Sequence, residues 1–250
     1  MRFTVNGRLL GLLAATALGV GTQAACGGND SESAPRAAAA ETPAATTSPR
    51  PHGPIPPALR GVESAAEDTI DFALAGQRPD ATRSARALRA AAHGPAAEAL
   101  REAGVSAADI AEFRTRADRV ARLAPEGDLL RLALASNQAF AMVPAFFARY
   151  ENPIPANVML LDYLDFEAKL RAEAGDAAAV RIAVARLDRT WRGLREGVVQ
   201  AGGTQAAHAF DAHVARMRRL AAVGAAGAAA VREAQHGLDL VDEVEGVYEG

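Results

Sequence analysis

The stretch "AAAVRIAVARLDRTWRGLREGVVQ" (residues 177–200) decides the fold class. Val180, Val184, Leu187, Trp191, Leu194 and Val198 recur in steps of four and three, which puts all six on one face of an α-helix. The positions between them are mostly Arg, Asp, Glu and Ala, so the opposite face suits water. A helix of this kind must cover its apolar stripe. The strict 3-4 spacing favours near-parallel packing at about 20° against helices built the same way.

The same period continues on both sides. Residues 204–222 start at Thr204, a good helix cap after Gly202 and Gly203, and place Ala207, Phe210, Val214, Met217 and Ala221 on one stripe. The last segment carries Val231, Ala234, Leu238 and Val241, and Tyr248 closes it. Residues 156–174 carry Met159, Tyr163, Phe166 and Leu170. From Val62 onward nothing alternates as a strand would, and the breakers fall between helical stretches. The expected class is all-α.

The first half of this region spells the second half again. Pro54-Ile55-Pro56 recurs as Pro153-Ile154-Pro155 after 99 residues, as do Gly76 at Gly175 and Leu88 at Leu187. The caps Ser106 and Thr204, and Tyr150-Glu151 and Tyr248-Glu249, recur after 98. The reading is a duplicated antiparallel helical bundle of about four helices per half. Repeat A covers 53–151, with helices near 57–75, 79–100, 106–123 and 126–151. Repeat B covers 152–250, with helices near 156–174, 176–201, 204–222 and 226–248. Proline suits the first turn of a helix and disfavours helix in the residue before it, so each Pro-Ile-Pro ends one half and starts another. In 126–151, Leu129, Leu132, Phe140, Val143, Phe147 and Tyr150 form a stripe that Met142 and Phe146 widen, so this helix is expected to be central, with a bend at Pro144. Two bundles sharing a substantial interface follow from this reading.

The first 52 residues read differently. Arg2 and Arg8 precede an apolar run from Leu9 to Val20, too short to span a bilayer comfortably, and small residues then lead to Cys26. Residues 1–25 are expected to be a bacterial export signal. The segment "TQAACGG" resembles a lipoprotein lipobox through Ala24, Ala25 and Cys26, although Gln23 stands where an aliphatic residue is usual. The resemblance implies lipid attachment at Cys26, and hence a protein of the cell envelope held to a membrane by lipid. Ordinary cleavage after Ala24 or Ala25 would instead leave a soluble secreted or periplasmic protein. Residues 27–52 hold no large apolar side chain, so residues 26–52 are expected to be a flexible tether.

Cys26 is the only cysteine, so the helical region can hold no disulfide, zinc-thiolate site, iron–sulfur cluster or Cys-attached haem. The formal net charge is −3 and there is no polybasic stretch, which argues against nucleic acid as a partner. Phosphate-cradling glycine loops and nucleophile elbows are absent from the helical region.

The polar candidates are few. His208 and Asp211 are neighbours on one helix, with His213 beside them, and Glu233 and His236 form a Glu-x-x-His on the next. Such a motif is half of the di-iron signature of ferritin-like bundles, but the second copy that family needs is missing. His208, Asp211, Glu233 and His236 are the candidates for metal, although Glu233, His236, Asp239 and Glu243 lie off the apolar stripe and read as a solvated face. His52 and His93 also read as solvated. Asp162, Asp165 and Glu167 could suggest acid–base work, but Asp165 and Lys169 at i, i+4 are expected to form an exposed ion pair. Asn137 and Gln138 interrupt one apolar helix where Gln235 and His236 interrupt its counterpart, so these four could make a polar layer between helices. Cytochrome c′ and imelysin-like proteins are excluded because Cys-x-x-Cys-His and Gly-x-His-x-x-Glu are absent. The expected function is binding of an envelope protein or small ligand, with no catalysis and no cofactor. The alternative is an envelope protein that handles metal or small ligands through the His, Asp and Glu of the second half.

Overall fold

The computed structural model describes residues 52–249. The expected signal, Cys26 and all but the last residue of the expected tether lie outside the described residues. Among the described residues the chain is helical apart from two short strands, so the all-α reading holds. The order is β1 (His52–Pro54), α1 (Pro57–Leu74), α2 (Arg78–His93), α3 (Pro95–Glu102), α4 (Ala107–Leu123), α5 (Leu129–Phe140), α6 (Val143–Phe147), β2 (Tyr150–Glu151), α7 (Ala156–Glu173), α8 (Ala177–Gln200), α9 (Thr204–Ala222) and α10 (Ala228–Glu249).

Local chemistry sets most of the boundaries. Each Pro-Ile-Pro runs straight into a helix: Pro56 precedes α1 and Pro155 precedes α7, where the missing N–H costs nothing. Both of these helices end at a glycine with φ of +73°, Gly76 and Gly175, a backbone angle that a side chain would strain. The Gln77 and Asp176 N–H groups then donate to Phe72 and Arg171 carbonyls at 2.8 and 2.9 Å, closing the two helix ends in the same way. Ser106 caps α4 by accepting from the Asp109 N–H at 3.1 Å, whereas Thr204 is the first residue of α9 and caps nothing with its side chain.

Two long helices of the sequence reading are broken. Residues 79–100 divide at Gly94-Pro95, where proline lacks the N–H that would continue the ladder. Residues 126–151 become α5 and α6, separated by Ala141 and Met142 just before Pro144. Tyr150 and Glu151, expected in that helix, form β2 and pair in parallel with β1. His52 thereby leaves the expected tether and lies 6.2 Å from the Tyr150 ring.

The helices pack as two rings. α1 packs on α2 and α5, with α4 closing between them, and α7 packs on α8 and α10, with α9 closing between those. α5 and α6 meet α7, and one apolar cluster runs through both rings without a division at Glu151/Asn152. A smaller cluster, including Val180, Val184 and Met217, fills one end of the second ring. Phe113 packs edge-on to Phe146 and Trp191 lies 4.5 Å from Phe210. α5 is substantially buried, as expected, but α7 buries the most residues of any helix, from Val158 to Ala172.

Phe210 is fully buried against Trp191, so Phe210→Ala should lower the unfolding free energy by about 3–5 kcal/mol. The exposed Arg192→Ala should cost about 0.5 kcal/mol or less. Urea denaturation followed by circular dichroism measures both.

Candidate functional site

A helix covered on nearly every side can carry charge only if its neighbours supply partners. α7 carries Asp162, Asp165, Glu167 and Lys169 along its covered length. Contrary to the expected exposed pair, Asp165 is fully buried and Lys169 is 9% exposed, and each turns to a different helix. Lys169 donates to Gln235 on α10 at 2.7 Å. Glu167 accepts from Arg171 at 2.7 Å and from the Asn137 amide of α5 at 3.0 Å.

Asp165 reaches His213, which is fully buried on α9. The His213 Nε2 lies 3.1 Å from Asp165 Oδ1, and its Nδ1 lies 2.9 Å from Glu233 Oε1 on α10. Arg216 donates to both Glu233 oxygens at 2.9 Å. A neutral imidazole has one N–H, so facing two carboxylates favours the doubly protonated ring. Burial pulls the His213 pKa down, but the Asp165 charge and the hydrogen bonds to both carboxylates outweigh it, and the net direction is up. Burial lifts the Asp165 carboxyl, and the His213 charge only partly offsets this. Arg216, Glu233, His213 and Asp165 together form a charge-balanced chain from the α9–α10 surface to the interior. Asp165 Oδ2 has no hydrogen-bond partner among the described residues. It lies over Gly237, where a Cβ would come within 2.5 Å of both Asp165 and His213.

On the other side of α10 a cleft of about 270 Å³ opens between α1, α7 and α10. α1 contributes Glu63, Glu67 and Asp71, α7 contributes Asp162 and Phe166, and α10 contributes Asp239, Asp242 and Glu245. Burial and the neighbouring carboxylates push Glu63 up to about 7 and Glu67 up to about 8. Asp162 is driven well above the carboxylate range by burial and by Glu245, Glu67, Asp165 and Asp242. Burial raises Asp71 more than the Lys169 charge lowers it. Seven carboxylates therefore share one concave site with no Lys, Arg or His among its lining residues.

The residues singled out from sequence are spread over several helices of both halves. Asp211 accepts from Trp191 and Arg195 at 2.8 and 2.9 Å; burial works upward on its pKa, but these hydrogen bonds hold it below the usual range. His208 is exposed on the same helix. Glu233, expected to be solvated, is instead the hinge between Arg216 and His213, and the His236 ring lies 6.4 Å from that of His213. Among the described residues no three His, Cys, Asp or Glu side chains are grouped as a metal ion needs. The four amide-layer residues also separate. Asn137 of α5 is buried against α7, Gln138 accepts from Arg116 and Arg119, Gln235 donates to Asp239 at 3.2 Å, and His236 faces outward. His93 is not simply solvated either, since it pairs with Asp118 at 3.1 Å beside Arg89. No protein family, curated protein or solved structure was found to match the chain.

The raised pKa values give one sign of pH dependence. Glu63 and Glu67 hold protons when folded that the unfolded chain releases above about pH 4.5, so stability falls as pH rises toward 7 and 8. A raised His213 contributes stability below about pH 6.5 that is lost as pH rises through its folded value. The urea midpoint should therefore fall between pH 5 and pH 9, and Glu67→Gln should flatten the decline. Gly237→Ala should cost more than about 2 kcal/mol at any pH in this range, because its Cβ has no space beside His213 and Asp165.

Proposed function

We propose that this is a non-catalytic binding protein of the cell envelope, lipid-anchored at Cys26, whose ligand is a small organic polycation held in the acidic cleft. The observation that carries the reading is the concentration of seven carboxylates around one concave site with no Lys, Arg or His among its lining residues. Buried like charges offset only in part, by Lys169 at Asp71 and Arg60 at Glu63, are costly, and a cationic ligand lowers that cost on binding. Glu63, Glu67 and Asp71 stand at i, i+4 and i+8, so their charges repeat about every 6 Å along α1. A linear polyamine repeats positive charge on a similar scale, and Phe166 on the floor offers an aromatic surface to a methylene chain or an ammonium group. The carboxylates are strung along the cleft rather than converging on a point, which favours an extended ligand over a single ion.

The two rings support descent from one duplicated four-helix unit, because their packing order and the helix closures at Gly76 and Gly175 correspond. In this reading the cleft lies where the two units meet, with α1 supplied by one and α7 and α10 by the other.

Isothermal titration calorimetry with spermidine tests the ligand class. The expected result is saturable one-to-one binding, weakened at least tenfold in Glu67→Gln and Asp162→Asn and weakened by salt. Absence of binding, or equal affinity in both variants, overturns it. The anchor is tested separately: Cys26→Ala should move the protein from the membrane fraction to the soluble fraction.

A further inference from the structure

We infer that the α9–α10 corner docks on an anionic phospholipid surface. This rests on the membrane anchoring proposed above but on different residues. Among the described residues the two exposed large apolar side chains are Val223, at 79%, and Ile182, at 65%. They lie at the same height. The Arg195–Asp211 and Arg218–Asp188 pairs show that α8 and α9 run in opposite directions. Beyond the second pair, Ile182 is six residues on and Val223 five, or about 9 and 7.5 Å along their helices.

Val223 sits within "LAAVGAAGAAAV" (residues 220–231), a corner with no polar or charged side chain. Around it are Arg218 and Arg219 at the end of α9 and Arg232 in the first turn of α10, with Arg181 near Ile182. Arg181, Arg219 and Arg232 have no hydrogen-bond or ion-pair partner among the described residues, and Arg218 reaches Asp188 only at 3.9 Å. Arg219, Arg232, Leu220 and Val223 line an open notch of about 780 Å³ beside the Arg216–Glu233 pair. The opposing carboxylates at this end, Glu173 and Asp176, lie on the α7–α8 side, which turns the docked face toward α9 and α10.

An apolar tip ringed by arginines suits a bilayer interface. The tip enters the headgroup layer while the guanidinium groups meet lipid phosphates. The acidic cleft on the other side of α10 would be repelled by such a surface. One charged surface therefore orients the protein: the corner faces the lipid and the cleft faces away. Weak docking of this kind gains strength when a lipid tether already holds the domain near the membrane.

Vesicle co-sedimentation with the processed chain carrying Cys26→Ala tests the corner without the anchor. The expected result is binding to phosphatidylcholine vesicles containing phosphatidylglycerol, at least tenfold stronger than to phosphatidylcholine alone, and lost at high salt. Val223→Asp and the pair Arg219→Glu/Arg232→Glu should each weaken it at least tenfold with unchanged helical circular dichroism. Ile182→Asp gives a second readout from another helix. No vesicle binding, equal binding to both vesicle types, variants that bind like the parent, or binding only of monomeric short-chain phosphatidylglycerol overturns the proposal. The anchor reading stands or falls on fractionation of the lipidated protein, so the two failures are distinguishable.

Discussion

α7 has to be buried and charged at once, and most of the polar architecture follows from that constraint. A helix enclosed by α5, α6, α8 and α10 cannot leave Asp162, Asp165, Glu167 and Lys169 to water, so each is answered by a partner on α7 or a neighbouring helix or has its pKa raised. Asp165 takes His213, Glu167 takes Arg171 and Asn137, and Lys169 takes Gln235. Asp162 has no basic side chain opposite it and faces the cleft. Burial and the surrounding carboxylates drive its pKa well up, and burial pushes Glu67 of α1 and Glu245 of α10 the same way.

The two polar systems lie back to back across α10. Gln235, Asp239, Asp242 and Glu245 turn toward the cleft, whereas Arg232, Glu233 and His236 turn toward the α9–α10 notch. Gly237 lies between them and lets Asp165 and His213 approach the α10 backbone. A polar seam of this kind specifies how α7, α9 and α10 align, because sliding any of them would strand a buried charge.

The fold was legible because each apolar stripe follows the helical period and the breakers fall where the helices end. The stripe positions of 177–200 and 204–222 are all buried in α8 and α9. What the period could not show is which side chains a neighbour covers. Asp165 and Lys169 sit off the local stripe of α7 and read as a surface pair, yet α9 and α10 close over that side. The cleft had a trace in the sequence: Glu63, Glu67 and Asp71 place like charges at i, i+4 and i+8, an arrangement that costs stability on an isolated helix. Its meaning depended on Asp162 and the α10 carboxylates, which only the tertiary packing brings alongside.

The proposed polycation would displace protons from the cleft as it binds. Calorimetric titration with spermidine at pH 7, in buffers of different ionisation enthalpy, counts the protons exchanged on binding. Glu67, with its pKa pushed up to about 8, is mostly protonated at that pH, and Glu63 is about half protonated. The account predicts net proton release that shrinks in Glu67→Gln. Binding that releases no protons, or takes them up, would contradict it.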